Sequence, residues 1–540
     1  MFVSSPTVVV LSGAVSSGKS TLAHKLVEHY GATRVSTREL LISRIKDGSR
    51  PDRGELQKIG DRLDRRTGGE WLAEAVSVTV NSLESGAVVV VDSARILAQI
   101  ERLRDAFGRR VVHLHLHAPP KIISDRYEHR KGSSNLAEMS SYDEVKENPT
   151  EAAIDELSKQ ADVVIDTSRS TPDDVLTRAA SHLGLTSRGL DHLVDVIVGT
   201  QYGSEGKGHI VSHIAPEYQM LVRVGGPNAG HQVIGANGEI YTHRQLPSGT
   251  LACDARLAIG AGAVIDVRVL QEEIAHCGVD VDRLAIDPQA MIISAADVRE
   301  EKRLVGAIGS TGKGGGAALA RRIRHRHRKV KLARDISALR PYTQRPVIEL
   351  LEDAYARDHR ILLEGTQGTG LSLYHGDYPY VTSRDTTAAG CLAEAGIAPA
   401  RVRRVIMICR TYPIRVKSPE GSTSGIIGQE LDWSDIAKRS GLDRKALEKA
   451  ERGSVSHNTR RVAEFDWVQL RRSAILNGAT DIALTFVDYL HKENQQARRF
   501  DQLTDDTIKF IEEIERVAEA PVTLISTRFH PRSIIDRRRW

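Results

Sequence analysis

The chain is 540 residues long, 40% apolar and 27% charged, which is more than one hydrophobic core serves, so two or more globular units are expected and a disordered or fibrous class is excluded. A formal charge of +5 is small for this length and gives no general support to a nucleic-acid-coating role; with no run of about 18 continuously apolar residues and a strand-like start in place of a basic leader, no membrane association and a cytoplasmic location are expected. Four cysteines, Cys253, Cys277, Cys391 and Cys409, have neither zinc-ligand spacing nor disulfide density and read as structural thiols of a reducing compartment.

The first predicted strand, Val8 to Leu11, runs straight into Gly13-Ala14-Val15-Ser16-Ser17-Gly18-Lys19-Ser20. Gly13 and Gly18 let the backbone amides curl around phosphate oxygens, Lys19 reaches between phosphates, and the Ser20 hydroxyl is suited to magnesium. Further apolar runs at Ala87 to Val91, Val111 to Leu116 and Val163 to Ile165 alternate with stretches of helical spacing, the pattern of a parallel sheet with crossover helices. Asp92 ends the second run and is expected at the same sheet edge as the loop, near magnesium or its water. Asp61, Asp64 and Arg65 suit either an acceptor or a solvated helix face. Arg126 and Arg130 are four apart and share one helical face, either to meet transferred phosphate or as a surface ion-pair helix. Together these features resemble a P-loop nucleoside or nucleotide kinase. The resemblance implies ATP at this site and leaves the acceptor, or a regulatory NTPase role, open. A helix stop and polar connection close this unit at residue 185, with a linker over 186–193.

The second unit, 194–540, opens with a strand at Val194 to Val198 and a different glycine loop, Gly199-Thr200-Gln201-Tyr202-Gly203-Ser204-Glu205-Gly206-Lys207-Gly208. Further strands are expected at Val347 to Leu351, Ile361 to Leu363, Val405 to Cys409 and Val522 to Ile525. The basic stretch from Arg321 to Lys331 suits a small phosphorylated ligand or a solvated face better than nucleic acid. The segments Ala400 to Arg415 and Ser454 to Trp467 place arginines beside small polar residues, as loops that close over anions do. The fold class is therefore α/β, a P-loop parallel sheet followed by a larger α/β unit.

From Val198 onward the chain resembles adenylosuccinate synthetase. The likeness rests on the glycine loop, Gly226-Pro227-Asn228-Ala229-Gly230-His231, Ser310-Thr311-Gly312-Lys313-Gly314, Glu364-Gly365-Thr366-Gln367-Gly368, His375 to Ser383 and Leu484-Thr485-Phe486-Val487-Asp488, all in the same order. The resemblance implies a homodimeric, magnesium-dependent ligase of purine nucleotide biosynthesis. GTP phosphorylates O6 of a 6-oxopurine nucleotide, IMP by default, and the amine of L-aspartate then displaces phosphate. Such chemistry requires a base for the N1 proton, an acid at O6, and cations around the phosphates.

By the same resemblance, His231 is the acid at O6, Gly230 offers a carbonyl to magnesium, and Lys207 neutralises the transferred phosphate, while Gly203, Gly206 and Gly208 permit close backbone approach. Asn228, Thr311, Gln367 and Thr382 hold the purine nucleotide, and Arg321 corresponds to a phosphate contact from a partner subunit. Ser456, Arg460 and Arg461 take the aspartate carboxylates. Asp488 accepts from guanine of GTP.

Several positions depart from the family pattern. Ser204 stands where the family has an aspartate that ligates magnesium and takes the N1 proton. A serine hydroxyl is too weak a base for that, so Glu205, a water relay or the substrate phosphate must replace it. The smaller, uncharged side chain leaves room for a 2-amino group, as in the branch that makes 2-aminoadenylosuccinate, so GMP or dGMP is the alternative acceptor. Asn458 replaces an arginine, Phe486 a lysine, and Ser526 to Pro531 departs from the usual base loop, which keeps ATP or dATP as rival donors. A nucleotide sensor with decayed ligase activity is the remaining alternative.

Overall fold

The computed structural model describes residues 6–45, 52–84, 86–131, 141–186, 191–235, 238–327, 330–419, 421–451 and 460–538. They form two units, Met1–Ser187 and Arg188–Trp540.

In the amino-terminal unit the strands Thr33–Val35, Val88–Val91, Thr7–Ser12, Val111–His117 and Val163–Asp166 lie side by side in that order, all parallel. Parallel order puts helices on both faces, and the two strands Val8 to Leu11 and Val88–Val91 at the centre are accordingly continuous apolar runs. Val8, Val10, Val89 and Val91 pack into one core, while Val9, Leu11, Val88 and Val90 pack into the opposite one. The phosphate loop leaves the central strand and opens the helix Lys19–Tyr30. A side chain at Gly13 would place its Cβ 2.1 Å from the Leu116 carbonyl oxygen, so the loop can cross the neighbouring strand only as glycine.

The second unit is built on a nine-stranded sheet in the order Leu284–Ile286, Arg256–Ile259, Met220–Arg223, Ile361–Glu364, Val194–Gly199, Val402–Arg410, Asp481–Thr485, Val522–Ser526, Ile534–Asp536. All pairings are parallel except the last, which is antiparallel. Both faces are again covered. Val194, Val196 and Val198 turn to one core with Met220, Leu363 and Leu484, and Ile197 turns to the other with Leu221, Leu362 and Ile408.

Two expectations are corrected here. Val347 to Leu351 is not a strand but the start of the helix Val347–Ala356, because Val347, Leu350, Leu351, Ala354 and Tyr355 are buried at helical spacing. The segment from Ala400 is not a loop over anions either: it is the long central strand Val402–Arg410. Two of its arginines are spent on carboxylates of adjacent strands, Arg403 on Asp195 and Arg404 on Asp481 at 2.9 Å, whereas Arg415, at the end of the expected segment, lines the large cavity of this unit. No described helix is long and apolar enough to cross a membrane.

Candidate functional site

The strand Val194–Gly199 delivers the second glycine loop to the carboxyl edge of the sheet, where the helix Lys207–Ile214 begins at Gly206 with φ 85°. Gly208 lies against the strand His231–Ile234, so a Cβ there would meet the Gln232 carbonyl at 2.8 Å and His231 Cβ at 2.9 Å. Lys207 is buried and donates to Glu205 Oε2 at 2.6 Å and to the Gly203 carbonyl at 3.2 Å. Glu205 Oε1 accepts from the amides of Gln201 and Gly203 at 3.0 and 2.7 Å. Glu205 is wholly buried and both its oxygens are engaged. It shapes the loop, and its expected availability as a replacement base is corrected on that ground. Ser204 lines the cavity, and its carbonyl accepts from Arg410 at 3.0 Å.

His231 meets Glu364, Arg223 and Ser248, which come from strand ends and a turn widely separated in sequence. Its Nδ1 lies 2.5 Å from Glu364 Oε1, while Nε2 is buried without a partner and the residue lines the cavity. The Glu364 contact assigns the ring proton to Nδ1 and leaves Nε2 to face a ligand. Burial, then the adjacent Arg223 guanidinium, pulls the His231 pKa down to about 4 against the opposing pull of Glu364. Burial alone would raise Glu364, but Arg223, His231 and Ser248 hold its carboxyl well below the usual range. The ligand-free imidazole is therefore neutral near pH 7, and a negative charge brought beside it would raise its affinity for a proton.

Around it a cavity of about 840 Å³ is lined by Asn228, Gly230, Thr311, Gln367, Arg460, Phe486 and Asp488 as well as the loop glycines Gly203, Gly206 and Gly208 and by Lys207. Asn228 Oδ1, Thr311 Oγ1 and Asp488 Oδ1 are buried without partners, as is His231 Nε2. Buried polar atoms are normally satisfied, so this convergence on one cavity marks a polar ligand site. Gln367 donates to Thr382 Oγ1 at 2.6 Å. Asp488 Oδ2 accepts from Gln495 at 3.1 Å, and burial lifts the Asp488 carboxyl to about 6.

At the same end, Glu451 accepts from Arg410 at 2.9 Å, from the Tyr489 hydroxyl at 2.8 Å and from Arg460 at 3.4 Å. The Arg410 guanidinium also stacks 4.1 Å from the Phe486 ring. Arg223, Ser248, Glu451 and Arg410 escape a reading by motif because their partners are distant in sequence, and Glu364, though it opens a motif, is given no role by it. The acidic end of the strand at Glu364 is the one local signal.

Two expected contacts lie elsewhere. Arg321 donates to Asp297 at 2.9 and 2.8 Å and to the Ile292 carbonyl, so its guanidinium is committed within this chain. Arg461 is held by Glu430, Ser424 and the Gly425 carbonyl and does not line the cavity. Both are corrected as direct ligands in this conformation, since a guanidinium already paired inside the protein gains little from turning to a ligand. Ser456 and Asn458 lie outside the described residues.

In the amino-terminal unit Lys19 donates to the carbonyls of Gly13 and Ala14 at 2.6 and 2.8 Å, curled over its own loop. Burial lowers its pKa to about 8, with Glu151 opposing and Arg95 assisting. Ser20 is exposed at the start of the helix. Asp92 accepts from Arg34 at 2.6 Å and from the Thr37 amide and hydroxyl at 3.0 Å. Its carboxylate thus orders the adjoining Thr33–Val35 edge, and direct contact with magnesium would require release of these donors. Asp61 accepts from Asn148 and Thr150, and Asp64 from Trp71 and Gln99, so neither belongs to a merely solvated face. Arg126 donates to the hydroxyl and carbonyl of Thr167 at 2.9 and 2.8 Å. The side chain of Arg130 lies outside the described residues.

The adenylosuccinate synthetase family model matches residues 196–340 and 331–496, and an AAA domain model matches 8–164. The adenylosuccinate synthetase of Pyrococcus horikoshii is 40% identical over 351 residues, 64% of this chain and 98% of that protein. The solved succinoaminodeoxyadenylate synthetase of cyanophage S-2L, bound to dGMP and to dATP as an energy donor, is 30% identical with a TM-score of 0.54, covering 64% of this chain and 96% of that one. Adenylosuccinate synthetase of Plasmodium falciparum, 22% identical with a TM-score of 0.54 over 64% of this chain and all of its own, shares the fold. The chain belongs to the adenylosuccinate synthetase family, ligases that join aspartate to a purine nucleotide, and carries a P-loop kinase-like domain ahead of the ligase unit.

Proposed function

We propose that the ligase unit takes a 2-amino-6-oxopurine nucleotide, GMP or dGMP, and joins it to L-aspartate. The γ-phosphoryl group of a nucleoside triphosphate moves to O6, the N1 proton leaves, the aspartate amine attacks C6, and phosphate departs. The observation that carries this reading is Ser204: an uncharged side chain lines the cavity in the loop that also supplies Lys207. A hydroxyl there accepts from an exocyclic amine without burying a fixed charge, where the family's aspartate would crowd it. The solved relative from cyanophage S-2L, which binds dGMP, supports the reading by analogy. The 40% identity to adenylosuccinate synthetase of Pyrococcus horikoshii favours a second reading, IMP as the acceptor.

His231 Nε2 serves O6 as the phosphoryl group arrives and Lys207 neutralises the phosphate. Because Glu205 is committed to the loop, a water relay at Ser204 Oγ or the substrate's own phosphate carries the N1 proton. The family uses GTP and magnesium. Ser204, Asn228 and Gly230 line the same cavity, and the Ser204 hydroxyl, the Gly230 carbonyl and the unpartnered Asn228 Oδ1 are neutral oxygens of the type that would suit a magnesium ion held mainly through nucleotide phosphates. Such an ion, when bound, would offset developing charge on those phosphates. Asp488 Oδ1, buried without a partner in the cavity wall, supports guanine recognition, so GTP is the donor in this reading. The kinase-like unit binds ATP at Lys19 and Ser20. Two copies form the working ligase.

The test is mass-resolved product formation by the full chain with magnesium, aspartate, GTP or ATP, and equal pools of IMP, GMP and dGMP. We expect the 2-amino adduct from GMP or dGMP, and S204D should shift preference toward IMP by at least about tenfold. An adduct from IMP alone would sink the 2-amino reading, and no adduct from any pool would sink the ligase reading.

A further inference from the structure

Glu451 has no assigned role, yet it lines the cavity at the end where Arg460 is read as an aspartate ligand. Its side chain is 3% exposed and receives four hydrogen bonds. The firm partners are Arg410, 2.9 Å from Oε1, and the Tyr489 hydroxyl, 2.8 Å from the same oxygen. Among the described residues, Oε2 makes only long contacts, 3.5 Å to Arg410 and 3.4 Å to Arg460. Arg410 is 1% exposed, is fixed on the Ser204 carbonyl at 3.0 Å and stacks on Phe486, so it cannot leave. Arg460, 18% exposed, also lines the cavity and holds Glu451 by one stretched contact. One carboxylate thus serves two guanidinium groups, and Arg460 is the less firmly held of the two. Guanidinium groups bind carboxylates best through paired, short bonds; Glu451 gives Arg410 one short bond and Arg460 none.

We infer that Glu451 is a stand-in for a substrate carboxylate: it keeps Arg460 paired while the site is empty, and one carboxylate of L-aspartate takes Arg460 from it on binding. This rests on the ligase reading and on Arg460 as an aspartate ligand. Glu451 then stays on Arg410 and Tyr489, so the Ser204 carbonyl keeps its donor throughout. Burial alone would raise the Glu451 pKa, but Arg410 and Arg460 together hold it low, and the carboxylate competes for Arg460 across the neutral range. In this scheme Glu451 and Tyr489 are positioning residues that tune aspartate affinity from opposite sides. Removing the negative charge frees Arg460. Removing the Tyr489 donor leaves Glu451 less satisfied and turns it more strongly onto Arg460.

The experiment is a calorimetric titration of L-aspartate into the full chain with magnesium, dGMP and a non-hydrolysable GTP analogue, alongside steady-state KM values. E451Q should tighten aspartate about three- to tenfold, Y489F should weaken it by a similar factor, and the KM for dGMP should move less than either. Opposite signs in the two variants cannot come from a general loss of structure, and Y489F keeps the test alive if E451Q fails to fold. Weaker aspartate binding by E451Q, or no change in Y489F, would overturn the exchange. Aspartate binding that shifts in the expected directions without any adduct would keep the stand-in role and remove the ligase reading instead. No binding of aspartate by the unaltered chain would overturn the stand-in role.

Discussion

On the proposed reading, a single buried carboxylate, Asp488, sets both base choice and pH range. Its Oδ1 lacks a partner and its pKa is raised to about 6 by burial, so it is ionised at pH 7 and becomes a carboxylic acid as the pH falls through 6. Guanine offers N1–H and an amino group and needs an acceptor, so protonation removes its recognition. The KM for GTP should therefore rise between pH 7 and pH 5, approaching about tenfold per pH unit below 6. D488N should flatten this profile and lose the preference for GTP over ATP; a wild-type KM that stays level over the same window would exclude Asp488 as the reader. His231 titrates lower, near 4, and lies outside this window. At this scale much of the site was legible: Lys207, Asn228, His231, Thr311 and Asp488 stand in short motifs and line one cavity. What sequence could not show was which side chains were already occupied. Glu205 and Arg321 have the right charge for the roles expected of them, but internal partners consume it, and pairing across distant elements leaves no local trace.

The elements carry the same lesson in another form. Apolar runs ending at Gly13 or Gly199 were readable as strands because a buried parallel strand is short, continuous and closed by a turn signal. Val347 to Leu351 has the same local appearance and is helical, a difference visible only when the pattern is followed to Ala354 and Tyr355. Between the glycine loop and His231 the elements meet so closely that helix and strand constrain each other. The helix Lys207–Ile214 rests on the strand His231–Ile234 through Gly208, with no room for a methyl group against His231 Cβ. G208A must push the strand or the helix away, which displaces His231 Nε2 or Lys207 from the reacting phosphate. Misplacement of about 1 Å costs on the order of a hundredfold in rate. We expect kcat to fall by about that factor, with the fold retained by circular dichroism; activity within about twofold of the parent would show that the close packing does not set the catalytic geometry.

At the level of the whole chain, each unit has what an independent fold requires. The first closes its sheet between two apolar cores, and the second does so with a separate pair. The division falls between Ser187 and Arg188, and the family relatives correspond to the second unit alone: they are covered over nearly their whole length by 64% of this chain. A ligase of this family therefore needs nothing from residues 1–187 to build its cavity. The fragment 188–540 should fold cooperatively and form the aspartate adduct at a rate within about threefold of the full chain, whereas the fragment 1–187 should bind ATP with magnesium and none of the ligase substrates. In the full chain, K19A should abolish ATP binding at the first loop while leaving adduct formation intact, because on the proposed reading Lys19 serves the phosphate loop of its own unit. If the fragment 188–540 unfolds, or if K19A stops adduct formation, the two phosphate loops work as one machine and the fusion is obligatory. If both behave as expected, the units are chemically separate, and joining them in one chain acts by keeping two nucleotide-handling sites at a fixed ratio and within diffusive reach of each other.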